Sequence, residues 1–333
     1  MATAEDNIGI VSYGLYTPAA FETAEGVAAR SGLALDDVRA LGIERKCRPA
    51  LEDQPIPMAV KAAKQALGRA NGVKPEDVDL VLWTGEEYKD YVAQTAAIRL
   101  QEEVGCRRAW SFDLVGQGVT TLVGLRLARD MMRSDSTINT VLLAGGTRNV
   151  DLVDYRNPDT RWLLPLSASG GAVVLRRGDF HHTLEKMAFI VDPEMADEVY
   201  VPGGGTEIPF SADNLNSAIM FYNTPHPKIV KAYLTRRWIE ALTEATTEAM
   251  ADRPPDYLAL PHLAPAQRAE VLSRLGVNPE RSAALDQWGC HGTNDVLLSL
   301  DLGIKAGAIQ DGSSVALVSG GIGFTYAAAT IRW

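Results

Sequence analysis

Two stretches of this 333-residue chain return about half a chain later. Val141-Leu142-Leu143-Ala144-Gly145-Gly146 is echoed by Val315-Ala316-Leu317-Val318-Ser319-Gly320-Gly321. Pro75-Glu76-Asp77-Val78-Asp79-Leu80-Val81-Leu82 is echoed by Pro254-Pro255-Asp256-Tyr257-Leu258-Ala259-Leu260. A period of that length excludes a solenoid, whose repeats run to roughly 20–50 residues. It implies two similar halves, each near ordinary domain size. The expected halves are 1–178 and 179–333, joined through the charged, turn-like stretch Arg176–His182.

Within each half, short apolar runs alternate with helical patterns, the mark of a layered α/β fold. Strands are expected at Ile8–Tyr13, Val78–Trp83, Ala109–Leu114, Thr140–Ala144 and Ala172–Leu175. The second half offers Glu185–Val191, Tyr257–Leu260, Ser282–Leu285, Ser314–Ser319 and Tyr326–Arg332. Apolar residues three and four apart predict helices over Met58–Ala70, Ala93–Glu103, Thr120–Arg133, Pro227–Ala251, Pro265–Leu275 and Asn294–Lys305. The long irregular segment Met195–Pro227 carries Gly203-Gly204-Gly205 and reads as a lid or binding loop, with a plain surface insertion as the alternative.

Composition narrows the function classes. Lys and Arg number 32 against 42 Asp and Glu, so the net charge is 32 − 42 = −10. That argues against a nucleic-acid partner, whose binding rests on basic side chains neutralising phosphates. Three cysteines cannot staple a chain of this size, and they fit a reducing cytoplasm. Met1 to Asn7 is polar and acidic, so no secretory signal is expected, and no apolar run is long enough for a membrane span. There is no phosphate-cradling G-x-x-x-x-G-K-[ST], no H-E-x-x-H and no paired C-x-x-C. His181 and His182 are adjacent and would point to opposite faces of an extended chain, so no metal site is expected. Gly320-Gly321-Ile322-Gly323 has a strand after it rather than a helix, which rejects a dinucleotide fingerprint.

The duplicated halves, Gly42-Ile43-Glu44-Arg45-Lys46 before a helix, and Gly320-Gly321-Ile322-Gly323-Phe324-Thr325 together resemble the thiolase superfamily. The nearest branch is the ketoacyl-ACP synthase III-like proteins, and Ile8–Gly14 also resembles the hydroxymethylglutaryl-CoA synthase branch. The resemblance runs from residue 8 to residue 333 and is most specific from Leu285 onward. It implies a thiolase-like, five-layered αβαβα fold and a homodimer, or a heteromer with a related ketosynthase. It also implies substrates that are acyl-CoA or acyl-carrier-protein thioesters. CoA or phosphopantetheine would arrive as substrate carrier, with no tightly bound cofactor.

The family works with a Cys nucleophile at a helix start, a His and an Asn. Phe112-Asp113 matches the pair before the nucleophile, and five residues past Asp113 stands Gly118, beside Gln117. Leu125 and Ala128 hold the following helix in register, and Cys106 precedes the strand, so neither shift nor neighbour restores the thiol. Leu260-Pro261-His262 matches the strand-end His, and the Asn position after Gly289 holds Cys290. By the resemblance, Gly118, Gly321, Ile322 and Gly323 would offer oxyanion N–H groups, and Arg45 with Lys46 would meet the carrier phosphate. The tryptophan that relatives place for CoA stacking is Val38 here. Glu86, Glu87 and Tyr88 stand on a loop from which a carboxylate could act as base, or could simply face solvent. Cys47 reads as structural and His226 as part of the long loop.

Glycine cannot be acylated, so the ordinary covalent condensation is not expected. Three readings follow. One is a ketosynthase III-like acyltransferase in fatty-acid, polyketide or other secondary metabolism, with His262 as base and Cys290 as displaced nucleophile or hydrogen-bond partner. Another is a non-catalytic subunit paired with a Cys-bearing homologue. The last is a thioester decarboxylase or hydrolase that forms no covalent intermediate.

Overall fold

The computed structural model describes residues 7–178, 182–215, 217–250 and 254–333. The stretch before Asn7, His181 with part of the expected join, and Ala251 lie outside the described residues. Strand β1 (Ile8–Tyr16) is followed by a two-stranded ribbon of β2 (Ala20–Thr23) and β3 (Arg45–Arg48), between which run α1 (Ala24–Ser31) and α2 (Leu35–Ala40). Then come α3 (Pro55–Arg69), β4 (Leu80–Trp83), α4 (Ala96–Val104), β5 (Trp110–Asp113), α5 (Thr120–Ser134), β6 (Thr140–Thr147) and β7 (Ser169–Arg177). The rest of the chain reads β8 (Thr183–Val191), α6 (Pro227–Thr235), α7 (Arg237–Ala249), β9 (Tyr257–Ala259), α8 (Pro265–Leu275), α9 (Asp295–Lys305), β10 (Ser314–Gly321) and β11 (Thr325–Arg332).

Nine strands form one mixed sheet in the order β5-β4-β6-β7-β1-β8-β11-β10-β9. Its two wings mirror each other about the β1–β8 seam, where Gly9 faces Thr183 and Ile10 N–H donates to His182 O at 3.0 Å. The echoed sequences occupy mirrored places: β4 and β6 pair in parallel in one wing, β9 and β10 in the other. Among the described residues only the counterpart of β5 is missing. Ser282–Leu285, expected as a strand, is irregular because side chains have taken its backbone groups. Ala283 N–H donates to Tyr257 Oη at 3.0 Å, and Arg268 donates to Ser282 O.

Helices α5 and α9 pack between the wings, α3 and α4 cover the outer face of the first, and α7 and α8 that of the second. This is the five-layered αβαβα arrangement. Three apolar clusters fill the gaps, one under each outer helical layer and a central one on both sides of the middle helices. Helix α5 sends Leu122, Leu125, Ala128 and Met132 into the central one, a stripe with spacings of three and four. Burying each leucine contributes roughly 1.5–3 kcal/mol, and truncating one to Ala would cost about 2–5 kcal/mol. No helix among the described residues is long and apolar enough to cross a membrane.

The expected single helix over Pro227–Ala251 is two. Arg236 sits at φ −132°, ψ −64°, outside the helical region, and its N–H closes α6 on Tyr233 O. The break lets α6 lie along a cavity while α7 packs on β8, β10 and β11. The ribbon and its helices α1 and α2 carried no apolar alternation long enough to announce them. Met195–Pro227 is largely irregular, as expected.

Candidate active site

The C-terminal ends of the parallel strands of both wings converge on a cavity of about 730 Å³, a usual size and place for a ligand site in an α/β protein. Glu86 follows β4, Gly118 lies in the turn before α5, and Asn149 follows β6. From the other wing come His262 after β9, Cys290 and Asp295 at the start of α9, and Gly321 at the end of β10. Trp162, Val230, Leu234 and Trp238 make apolar walls, and Arg161, Lys228 and Lys231 supply the cations of the lining.

At the turn before α5 there is no side chain to react. A Cβ built on Gly118 would come 3.1 Å from Gly321 Cα and 3.3 Å from Gly320 O. Gly118 O accepts from Ser319 Oγ at 2.6 Å, fixing the turn against β10. The strained residue of the turn is its neighbour: Gln117 has φ +53° and packs towards Gly323. A non-glycine residue there costs on the order of 1 kcal/mol.

Two carboxyl groups are buried in the lining. Glu86, 3% exposed, accepts from Asn149 Nδ2 and from Thr293 N–H at 3.4 Å. Its close approach depends on Gly292 at φ +54°, because a Cβ there would lie 2.0 Å from Glu86 Oε1. Asp295, 1% exposed, accepts from His291 N–H at 2.7 Å, His262 N–H at 2.9 Å and the Cys290 thiol at 3.4 Å. The start of a helix and these donors favour its ionised form. Burial outweighs them and pushes the Asp295 carboxyl up to about 7. Burial also raises the Glu86 carboxyl. The Cys290 thiol is held well above its ordinary range, first by burial and then by Asp295. His262 Nε2–H donates to Gly42 O at 2.9 Å, which leaves Nδ1 as the ring acceptor. Burial lowers His262, so the ring is neutral near pH 7.

Of the residues expected from sequence, the cavity brings together His262, Cys290, Gly118, Gly321, Ile322 and Glu86. Gly323 and Gln117 lie outside the lining. Glu87 and Tyr88 are exposed on the loop beyond Glu86. The phosphate role expected of Lys46 is corrected: it is 1% exposed, and its ammonium donates to Leu164 O at 2.6 Å and Leu166 O at 3.1 Å. Burial lowers this amine to about 7. Arg45 also stands outside the lining, its guanidinium 4.2 Å from the centre of the Phe21 ring. Cys47 and Cys106 are buried, each with its thiol pushed up to about 12 by burial. His226 is exposed and paired with Glu198 at 3.1 Å. Among the described residues no group of three His, Cys, Asp or Glu could hold a metal ion.

Sequence reasoning missed Asp295 and Asn149. Asp295 had a signal: an acid opening the apolar run Val296-Leu297-Leu298, in a helix buried on nearly every side. Asn149 had none, because its strand-end loop resembles any polar turn.

Comparison with known proteins bears on this geometry. Residues 112–193 match the family 3-oxoacyl-[acyl-carrier-protein (ACP)] synthase III, and residues 255–333 match its C-terminal family. Beta-ketoacyl-[acyl-carrier-protein] synthase III of Clostridium perfringens (strain SM101 / Type A) is 25% identical over 331 residues, 98% of this chain and 99% of that one. The enzyme of the same name from Roseiflexus sp. (strain RS-1) is 29% identical over 281 residues, 83% of each. Among solved structures, 3-oxoacyl-(acyl carrier protein) synthase III, FabH, from Pseudomonas aeruginosa PAO1 superposes with a TM-score of 0.84 at 21% identity, covering 98% of both chains. Xanthomonas campestris OleA with bound lauric acid and lauroyl-CoA gives 0.82 at 17% identity, covering 98% of this chain and 99% of that one.

Proposed function

For a chain that is a ketoacyl synthase III-like protein of the thiolase superfamily, we propose an acyltransferase that takes acyl-CoA or acyl-carrier-protein thioesters and passes the acyl group directly to an acceptor. No acyl-enzyme forms. The observation that carries this is the pairing of Gly118, a turn without a side chain, with a buried carboxyl, Asp295, that titrates near 7. A base with a pKa near the working pH is the effective one, and holding both reactants in one cavity replaces the covalent stop.

The carrier phosphate meets Arg161, Lys228 and Lys231, and the acyl chain runs along Trp162, Val230 and Trp238. The thioester carbonyl lies over Gly118, with backbone N–H groups of Gly118, Gly321 and Ile322 as candidates for the developing oxyanion. Asp295 takes the acceptor's proton and returns it to the leaving thiolate. The Cys290 thiol donates to Asp295, which supports its reading as a hydrogen-bond partner, and the His262 backbone N–H also donates to Asp295. Strand β5 is the free outer edge of the first wing, with Trp110 and, just beyond the strand, Val115 each 52% exposed, which supports pairing with a second chain of this fold.

The test is intact-mass spectrometry after mixing with an acyl-CoA and acid quenching, together with initial rates at varied thioester and acceptor. Intersecting double-reciprocal lines and an unmodified protein mass are expected. An acyl adduct on Cys290 would sink the reading.

A further inference from the structure

The acceptor end of the cavity is built from hydrogen-bond acceptors. Glu86 and Asp295 both line it, one from each wing. Among the described residues neither makes an ion pair with a Lys, Arg or His side chain; their partners are Asn149 Nδ2, backbone N–H groups and the Cys290 thiol. Independently, Asn149 lines the same cavity and is 3% exposed; its Nδ2 donates to Glu86, and its Oδ1 has no partner. A buried acceptor without a donor costs about 1–3 kcal/mol, and two buried acids without a countercharge cost more. A ligand that brings hydrogen-bond donors and positive charge relieves both.

The other charged groups nearby do not supply that charge: Arg161, Lys228 and Lys231 line the same cavity, but among the described residues none of them pairs with either acid. Lys46 is spent on the Leu164 and Leu166 carbonyls and stands outside the lining. The His262 ring donates to Gly42 O, and His291 Nε2 to Trp288 O at 3.0 Å. Burial brings His291 down to about 4, so it is neutral at working pH. Tyr222, 7% exposed, is neutral. A malonyl-type carboxylate would be repelled by either acid once it is ionised; like charges at 4 Å repel by about 4 kcal/mol at an effective dielectric near 20.

We infer that this end of the cavity binds a primary amine as its ammonium, held by the Glu86 carboxylate and Asn149 Oδ1, and that the amine is the acyl acceptor. The inference rests on the direct-transfer reading for its chemical step. The ammonium gives one proton to the Asp295 carboxylate and the freed nitrogen attacks the thioester carbonyl. The C–N bond forms as the C–S bond breaks, and the thiolate takes the proton from Asp295. The nitrogen loses its second proton to water. Ammonium and thioester thus become amide, thiol and one released proton, with no oxidant or reductant needed.

Calorimetric titration with n-hexylammonium, 1-hexanol and hexanoate tests the site without any thioester. At pH 8 the ammonium is expected to bind at least tenfold more tightly than hexanol, with hexanoate weakest. Glu86→Gln should lower ammonium affinity at least fivefold and hexanol affinity less than twofold. The wild-type protein gives a readout free of any folding defect: ammonium affinity should climb from pH 5 to pH 8 while hexanol affinity stays level. Hexanol or hexanoate binding as tightly as the ammonium, or a flat ammonium profile with pH, overturns the site. Thiol release from acyl-CoA separates the two ideas. Ammonium binding without amine-dependent release keeps the site and removes direct transfer to it. Transfer to another acceptor without ammonium binding removes the site alone.

Discussion

Gly118 and Gly321 meet backbone to backbone: a Cβ on either would come within 3.1 Å of the other's Cα. The turn before α5 and the end of β10 can close on each other this tightly only because neither residue carries a side chain. Gly118→Cys should therefore fold after a shift of a few tenths of an ångström, at a cost of roughly 1–2 kcal/mol in urea denaturation. Its thiol would open on the cavity, and iodoacetamide should alkylate it before Cys47, Cys106 and Cys290, whose burial keeps them protonated. Peptide mapping that finds Cys290 labelled first would count against this geometry.

Lys46 and the lysines of the cavity lining should fail in different ways. Lys46→Met leaves the carbonyls of Leu164 and Leu166 without their donor, in the segment whose Pro165 O receives Cys290 N–H at 2.8 Å. Breaking such a buried polar node costs about 3–5 kcal/mol, to be read as a lowered denaturation midpoint with KM for the thioester within twofold of wild type. Lys228→Ala and Lys231→Ala remove exposed charges. They should leave stability unchanged and raise KM about fivefold, an effect that shrinks as salt is added. A KM rise in Lys46→Met that salt abolishes would restore the phosphate role to that residue.

Asp295 sets a pH dependence with an unusual sign. Its carboxyl rests near 7 in the folded protein against an ordinary value of 3.8, so between those values the folded state holds the extra proton. The stability it contributes is complete below about pH 4 and is lost as pH rises through about 7, by at most roughly 1.4 kcal/mol per unit. Asp295→Asn should therefore melt above the wild-type protein at pH 8 and no higher at pH 4. Acyl transfer should rise through pH 7 in the wild type and fall at least a hundredfold in the variant. A wild-type protein that melts higher than Asp295→Asn at pH 8 would contradict the buried-acid assignment.

Much of the fold was legible because its signals are local. The echoes at residues 75 and 254, and at 141 and 315, fall on the mirrored parallel strands of the two wings. His262 and Cys290 were found by register and do share one cavity. What sequence could not give depends on contacts between distant segments. Lys46 looks like a surface cation until Leu164 and Leu166 close over it, and Ser282–Leu285 reads as a strand until Tyr257 and Arg268 claim its backbone. Asn149 and Asp295 belong to the site only because the wings fold their strand ends towards one another.

That mirrored construction divides the chemistry into two inheritances. The first wing provides the thiol-less turn at Gly118 together with Glu86 and Asn149, and the second provides His262, Cys290 and Asp295. Neither set is a reaction chamber by itself, because the void exists only where the two wings meet. Under the proposed direct transfer, the turn without a side chain at Gly118 leaves that void open, so that groups contributed by both wings can serve a different bond.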